Sequence, residues 1–222
     1  MRQMRVAPSI MCADFLNLGE QIAIMESSGI DFLHIDIMDG HYVPNFTLGT
    51  DFCRRLSEHT QITLDIHLMV ERPDTYIPAF AAFGKSVLCI HPETSYHPLR
   101  SLQLIRSYGA RSGIALDPGQ PISAVTALLP HVELVCVMTV NPGFAGQTLI
   151  PGTLDKIIEL SELIDREGLE IEIEVDGNVS WEYIPKMIEA GARILVAGNS
   201  SLFEEGEPLH TNIERLYKLI GR

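Results

Sequence analysis

Short apolar runs recur along the chain, and each is followed by a longer stretch with helical spacing. Eight such runs cover residues 6–10, 32–37, 62–68, 86–90, 111–116, 134–140, 170–175 and 194–197. Several are nearly continuous in Ile, Leu and Val, as strands covered on both faces must be. Between them, Leu18, Ile22 and Met25 fall at i, i+4 and i+7. Leu154, Ile157 and Ile158 fall at i, i+3 and i+4, and Ile213, Leu216, Tyr217 and Ile220 repeat that pattern near the C-terminus. One turn of a helix takes 3.6 residues, so each set forms an apolar stripe. Gly29, Gly84, Gly109 and Gly191 each stand shortly before a strand, where a glycine closing a helix belongs.

This alternation predicts the α/β class. Eight strands fit either a closed (β/α)8 TIM barrel or an open doubly wound sheet. No G-x-G-x-x-G follows the first strand, so a dinucleotide-binding sheet has little support, and the strand count favours the barrel. No charge run, low-complexity tract or Ser/Gly linker divides the chain. The expectation is one barrel domain over residues 1–222.

The polar residues that break the strand pattern cluster at strand ends. His34 and Asp36 are two positions apart, so both point to one face, and Met38 continues it. Asp65-Ile66-His67 runs into Leu68-Met69, and the seventh run ends in Asp176-Gly177. In a barrel, the C-terminal strand ends form the face that carries chemistry. Two imidazoles and two carboxylates gathered there suit a divalent cation such as Zn²⁺, Mn²⁺ or Fe²⁺. Asp36 and Asp176 can also serve as acid and base on opposite faces of a substrate. Taken singly, each is more often a hydrogen-bonded structural residue; the four together carry the reading.

Two glycine-bearing turns have the form of phosphate cradles: 141–147 after the sixth strand, and Gly198-Asn199-Ser200 after the eighth, with Gly177 beside them. Neither contains Lys or Arg, so backbone dipoles are expected to do the binding.

A net charge of −13 argues against nucleic-acid or anionic-membrane partners. It leaves room for a small phosphorylated ligand held locally. No apolar run reaches the length of a membrane span, and the N-terminal stretch does not read as an export signal. Cys12, Cys53, Cys89 and Cys136 form no C-x-x-C pair and are read as reduced thiols in a cytoplasm.

At this point the sequence resembles ribulose-phosphate 3-epimerases along almost its whole length. The motifs are Ala7-Pro8-Ser9-Ile10, His34-Ile-Asp-Ile-Met-Asp-Gly-His-Tyr-Val-Pro-Asn45, Asp65-Ile-His-Leu-Met-Val70, Val140-Asn-Pro-Gly-Phe-Ala-Gly-Gln147 and Glu174-Val-Asp-Gly-Asn178. The resemblance implies a cytoplasmic barrel of the ribulose-phosphate-binding type with one divalent metal, Zn²⁺ before Mn²⁺, Fe²⁺, Co²⁺ or Mg²⁺. It implies His34, Asp36, His67 and Asp176 as ligands, and Asp36 and Asp176 as the acid/base pair. Ser9 and His67 would touch the sugar. Gly143, Phe144, Ala145, Gly146, Gly177, Asn178, Gly198, Asn199 and Ser200 would line the phosphate end. Met38, Met69 and Met138 would form a sulfur-rich wall, although core filling accounts for them as well. The implied reaction moves the C3 proton of a ketose phosphate through an enediolate that the metal stabilises.

Departures from the commonest pentulose-phosphate pattern point to a branch. Ala145 and Asn178 stand where that pattern has glycine. Met11-Cys12, His91-Pro-Glu-Thr94, Met138-Thr139 and Asn199-Ser-Ser-Leu-Phe203 look like the branch acting on D-allulose 6-phosphate, giving D-fructose 6-phosphate. The expected substrate is therefore the hexulose phosphate, with D-ribulose 5-phosphate as the alternative. A related decarboxylase barrel needs a lysine among its aspartates, and Asp36-Ile-Met-Asp39 has none. A barrel that only binds phosphosugars would have lost the acid/base pair, yet both aspartates are present. A homo-oligomer is also expected, with Phe46, Phe52 and Phe203 as candidate exposed contacts.

Overall fold

A computed structural model describes residues 3–222. Met1 and Arg2, at the start of the stretch read for an export signal, lie outside the described residues. The strands are β1 (Arg5–Pro8), β2 (Phe32–Asp39), β3 (Phe46–Thr47), β4 (Thr63–Met69), β5 (Ser86–Ile90), β6 (Arg111–Leu116), β7 (Leu134–Met138), β8 (Glu172–Asp176) and β9 (Ile194–Ala197). They run in the order β1-β9-β8-β7-β6-β5-β4-β2-β3. All pairs are parallel except β2 with the two-residue β3, which folds back against Met38 and Asp39. A parallel bridge between Ser9 and His34 joins β1 to β2 and closes the ring. The fold is thus the expected (β/α)8 barrel, with β3 as an unforeseen addition to β2.

Alternation along the strands divides the apolar residues into two sets. Outward residues such as Leu33, Ile35, Ile66, Leu88 and Val137 pack under the helices. Inward residues, among them Ala7, Phe32, Val87, Cys89, Leu134 and Ile194, fill the barrel. The helices are α1 (Leu18–Ser27), α2 (Thr50–His59), α3 (Ile77–Phe80), α4 (Pro98–Ser107), α5 (Gly152–Glu167), α6 (Ile184–Ala190) and α7 (Leu209–Ile220). Between β6 and β7, two short 3-10 helices (Ile122–Ala124 and Thr126–His131) take the place of an α-helix. Pro130 lies inside the second and removes a donor that a longer helix would need.

Three expectations need correction. In α5 the buried stripe runs through Thr153, Ile157, Leu160, Leu163 and Ile164, and Ile158 turns outward. Gly84 adopts a positive φ but follows α3 by several residues, so it serves a turn and caps no helix. Phe52 and Phe203 are half-buried against the core, leaving Phe46 as the exposed member of the expected contact set. No helix among the described residues is long and apolar enough to cross a membrane.

Candidate active site

β2, β4 and β8 end at the same rim of the barrel and bring His34, Asp36, His67 and Asp176 together. Each offers one ligand atom, and the four atoms lie within 4.8 Å of one another. His34 Nε2 is 3.3 Å from Asp36 Oδ1 and 3.8 Å from Asp176 Oδ2. His67 Nδ1 is 3.5 Å from Asp36 Oδ1 and 3.6 Å from Asp176 Oδ2. Both nitrogens are buried and lack a hydrogen-bond partner. A buried polar atom without a partner is costly, and a cation shared among these two nitrogens and the two facing carboxylate oxygens would satisfy both. Nitrogen and oxygen donors in a four-group set suit a divalent cation. The residues therefore fit the metal that the sequence led us to expect.

The surrounding groups fix this arrangement. His34 Nδ1 lies 2.6 Å from Asp65 Oδ2, so the neutral ring carries its proton on Nδ1 and leaves Nε2 for a cation, which would take the place of a second proton there. Ser9 Oγ donates to Asp36 Oδ2 at 2.9 Å, so Asp36 turns its other oxygen to the histidines. Thr47, on β3, donates to the Asp36 carbonyl at 2.6 Å, which gives the small strand a purpose. Burial disfavours charge on His34, but Asp36 and Asp65 outweigh it and hold the imidazole pKa well above its usual value. Asp36 is likewise buried, yet His34 and then His67 hold its carboxyl far below the usual carboxylate range. Beneath the site, burial and the neighbouring Asp65 push the Glu174 carboxyl well above its normal range.

Above the four groups opens a cavity of about 570 Å³, counted with the space open to solvent. Ser9, Asp36, Met38, Met69, Met138 and Asp176 line its floor and sides. Gly143, Phe144, Ala145, Gly146, Gly177, Asn178, Gly198, Asn199 and Ser200 line it as well. His34 and His67 lie below, fully buried. No Lys or Arg among the described residues lines the cavity, in keeping with binding by backbone groups. Asn45 Nδ2 donates to the Gly143 carbonyl at 2.8 Å. Gln147 Nε2 donates to the carbonyls of Asn141 at 2.6 Å and Phe144 at 2.9 Å. With those carbonyls tied to side chains, the loop is held in shape at the edge of the cavity.

Two positions explain local sequence choices. Gly177 has a φ of +106°, and a Cβ there would stand 2.6 Å from Val140 Cγ2, so only glycine fits. Asn178 has a φ of +41°, a left-handed conformation that asparagine tolerates better than most residues. Its Nδ2 also donates to the Gln147 carbonyl at 2.8 Å, an anchor that glycine lacks.

Sequence reasoning missed Asp65 and Glu174 as supports, and it noted His91 only as a branch marker. His91 directly follows β5 on the same rim, and that position was the available signal. Met11, Cys12, Val140, Val179 and Val196 also line the cavity without having been singled out for the site.

The barrel and its rim define a class: TIM-barrel proteins that can hold a divalent cation beside a glycine-lined mouth. Solved structures agree on the fold. A tryptophan synthase alpha-subunit variant from Pyrococcus furiosus superposes with a TM-score of 0.70 at 11% identity, covering 100% of both chains. The model of the ribulose-phosphate 3 epimerase family matches residues 5–203, and the chain belongs to that family. A protein named ribulose-phosphate 3-epimerase from Bacillus subtilis is 46% identical over 197 residues, covering 88% of this chain and 91% of its own length. One of the same name from Escherichia coli K12 is 42% identical over 206 residues, covering 92% and 91%. The expectation of an isomerase acting on carbohydrate phosphates stands with that membership. These relatives do not distinguish the D-allulose 6-phosphate branch.

Proposed function

We propose that the chain interconverts D-ribulose 5-phosphate and D-xylulose 5-phosphate, with one of Asp36 and Asp176 removing the C3 proton and the other supplying a new proton to the opposite face. The convergence of those carboxylates with His34 and His67 within 4.8 Å is the observation that carries it. These four residues would hold one divalent cation, with Zn²⁺ the first choice for a nitrogen- and oxygen-donor set of this size. When bound, the cation polarises the ketone and offsets charge on the enediolate. Asp36 Oδ2 meets Ser9, and the Asp176 side chain is 16% exposed on the cavity. Each aspartate thus has an edge toward the cavity and an edge toward the histidines. One takes the C3 proton from its side of the sugar, and the other delivers a proton to the opposite side. Met38, Met69 and Met138 pack beside the reacting carbons and exclude water. The loops 143–146, 177–178 and 198–200 receive the phosphate.

The names of the relatives support the pentulose phosphate over the hexulose phosphate expected from the sequence. One observation favours D-allulose 6-phosphate as a second reading: Met11, Cys12, Asn199 and Ser200, which mark that branch, all line the cavity. Side-by-side kcat/KM for the two ketose phosphates, with the metal controlled, separates them. A ratio of tenfold or more toward ribulose 5-phosphate is expected, equivalent to about 1.4 kcal/mol. A ratio reversed by that factor overturns the choice of substrate and leaves the chemistry intact.

Self-association and a cytoplasmic location belong to the same reading. Exposed Phe15, Leu16 and Phe46 support the first, and four unpaired cysteines support the second. Light scattering on the purified chain tests the oligomer; a monomer at all concentrations removes it.

A further inference from the structure

His67 is the one histidine of the site whose second nitrogen meets no carboxylate. Its Nε2 lies 2.9 Å from His91 Nε2. The ring centroids are 5.0 Å apart and the planes differ by 22°, so the rings meet edge to edge and an N–H can point along the contact. His91 is fully buried, and its Nδ1 lies 3.0 Å from the Tyr42 hydroxyl. That hydroxyl donates to Glu93 Oε1 at 2.8 Å. Tyr42 is itself held in place, because Asp39 accepts hydrogen bonds from the backbone of His41, Tyr42 and Glu71.

We infer that His91, Tyr42 and Glu93 form a positioning relay that decides which nitrogen of His67 is offered to the cation. The inference rests on the metal reading above. Glu93 is the fixed end, because a carboxylate only accepts. It takes the single proton of Tyr42, so the tyrosine oxygen must accept from His91 Nδ1–H. A second contact agrees: His91 Nδ1 is 3.4 Å from Glu93 Oε1, where again it can only donate. With its proton on Nδ1, neutral His91 has a bare Nε2 and must accept from His67 Nε2–H. His67 then has a bare Nδ1, the buried atom without a partner that faces Asp36 and Asp176. Reversing any one link puts a proton on that nitrogen and blocks it as a ligand. His34 reaches the same state by one direct bond to Asp65. The two histidines are therefore prepared by different means, one by an internal carboxylate and one by a chain that ends near the surface.

The test is Co²⁺ binding to chelator-stripped protein, read by competition with a chelator and by the visible d–d spectrum. Wild type, His91→Leu, His91→Gln and Tyr42→Phe are compared. His91→Leu is expected to weaken Co²⁺ binding by roughly 10–100-fold and to alter the spectrum, as loss of a ligand's outer partner does. Glutamine can accept with its oxygen and donate with its nitrogen, so His91→Gln should recover most of the loss. Tyr42→Phe should fall between. Wild-type affinity and spectrum in His91→Leu, or no recovery in His91→Gln, overturns the relay. Should His91→Leu fail to fold, Tyr42→Phe decides, and unchanged affinity there overturns it equally. A wild-type chain that binds no Co²⁺ overturns the metal reading itself, and the relay with it.

Discussion

Asp176→Asn should lower interconversion of the two epimers by about 10²–10⁴-fold, the usual contribution of a positioned acid or base. The change keeps the shape of the side chain, and Asp176 is not part of the apolar core, so the barrel should stay folded. Two-sided proton transfer makes a sharper statement possible. If each aspartate serves one face of the sugar, as proposed, loss of one leaves the other able to remove the proton that faces it. In deuterated water, Asp176→Asn should exchange the C3 hydrogen of at most one epimer, and Asp36→Asn at most the other. Proton NMR of each substrate reads this directly. Full exchange of both epimers by Asp176→Asn would remove that residue from the reaction. Exchange of the same epimer by both variants would place the carboxylates on one side.

Removal of the cation should have an effect at least as large. Chelation is expected to abolish turnover, and Zn²⁺ or Mn²⁺ to restore it. Stability should change too, because the ligand atoms are buried and a cation binds the folded chain alone. At 100 times its Kd, a bound ion stabilises the fold by about 2.7 kcal/mol. For a chain of this length that corresponds to roughly 5–10 °C in Tm. His34→Ala should lower bound metal as measured by elemental analysis. Undiminished activity in metal-free protein, or unchanged metal content in His34→Ala, would count against the ligand set.

Much of this site was legible in the sequence because strands have a period of two. That period alone put His34, Asp36 and Met38 on one face, and the barrel rule put their strand ends on one rim with His67 and Asp176. Glycines at 177 and 198 marked close approaches of backbone. What could not be read depends on contacts between distant loops. β3 is two residues long and exists because Thr47 reaches the Asp36 carbonyl. The link from His67 to Glu93 depends on the Tyr42 loop, which Asp39 pins through backbone hydrogen bonds that no spacing rule reveals. Ile158 shows the limit of a short pattern: three apolar positions define a stripe, and only the packed neighbour decides its edge. Asn178 looked like a departure until its backbone angle showed why asparagine serves there.

The single bridge from Ser9 to His34 has one more consequence. It makes the barrel a hoop fastened by a clasp, and the clasp carries His34 on one side and the hydroxyl that grips Asp36 on the other. Any breathing that parts the hoop there also spreads the groups of the candidate site. Fold integrity and chemical competence are thereby lost, or regained, in one motion.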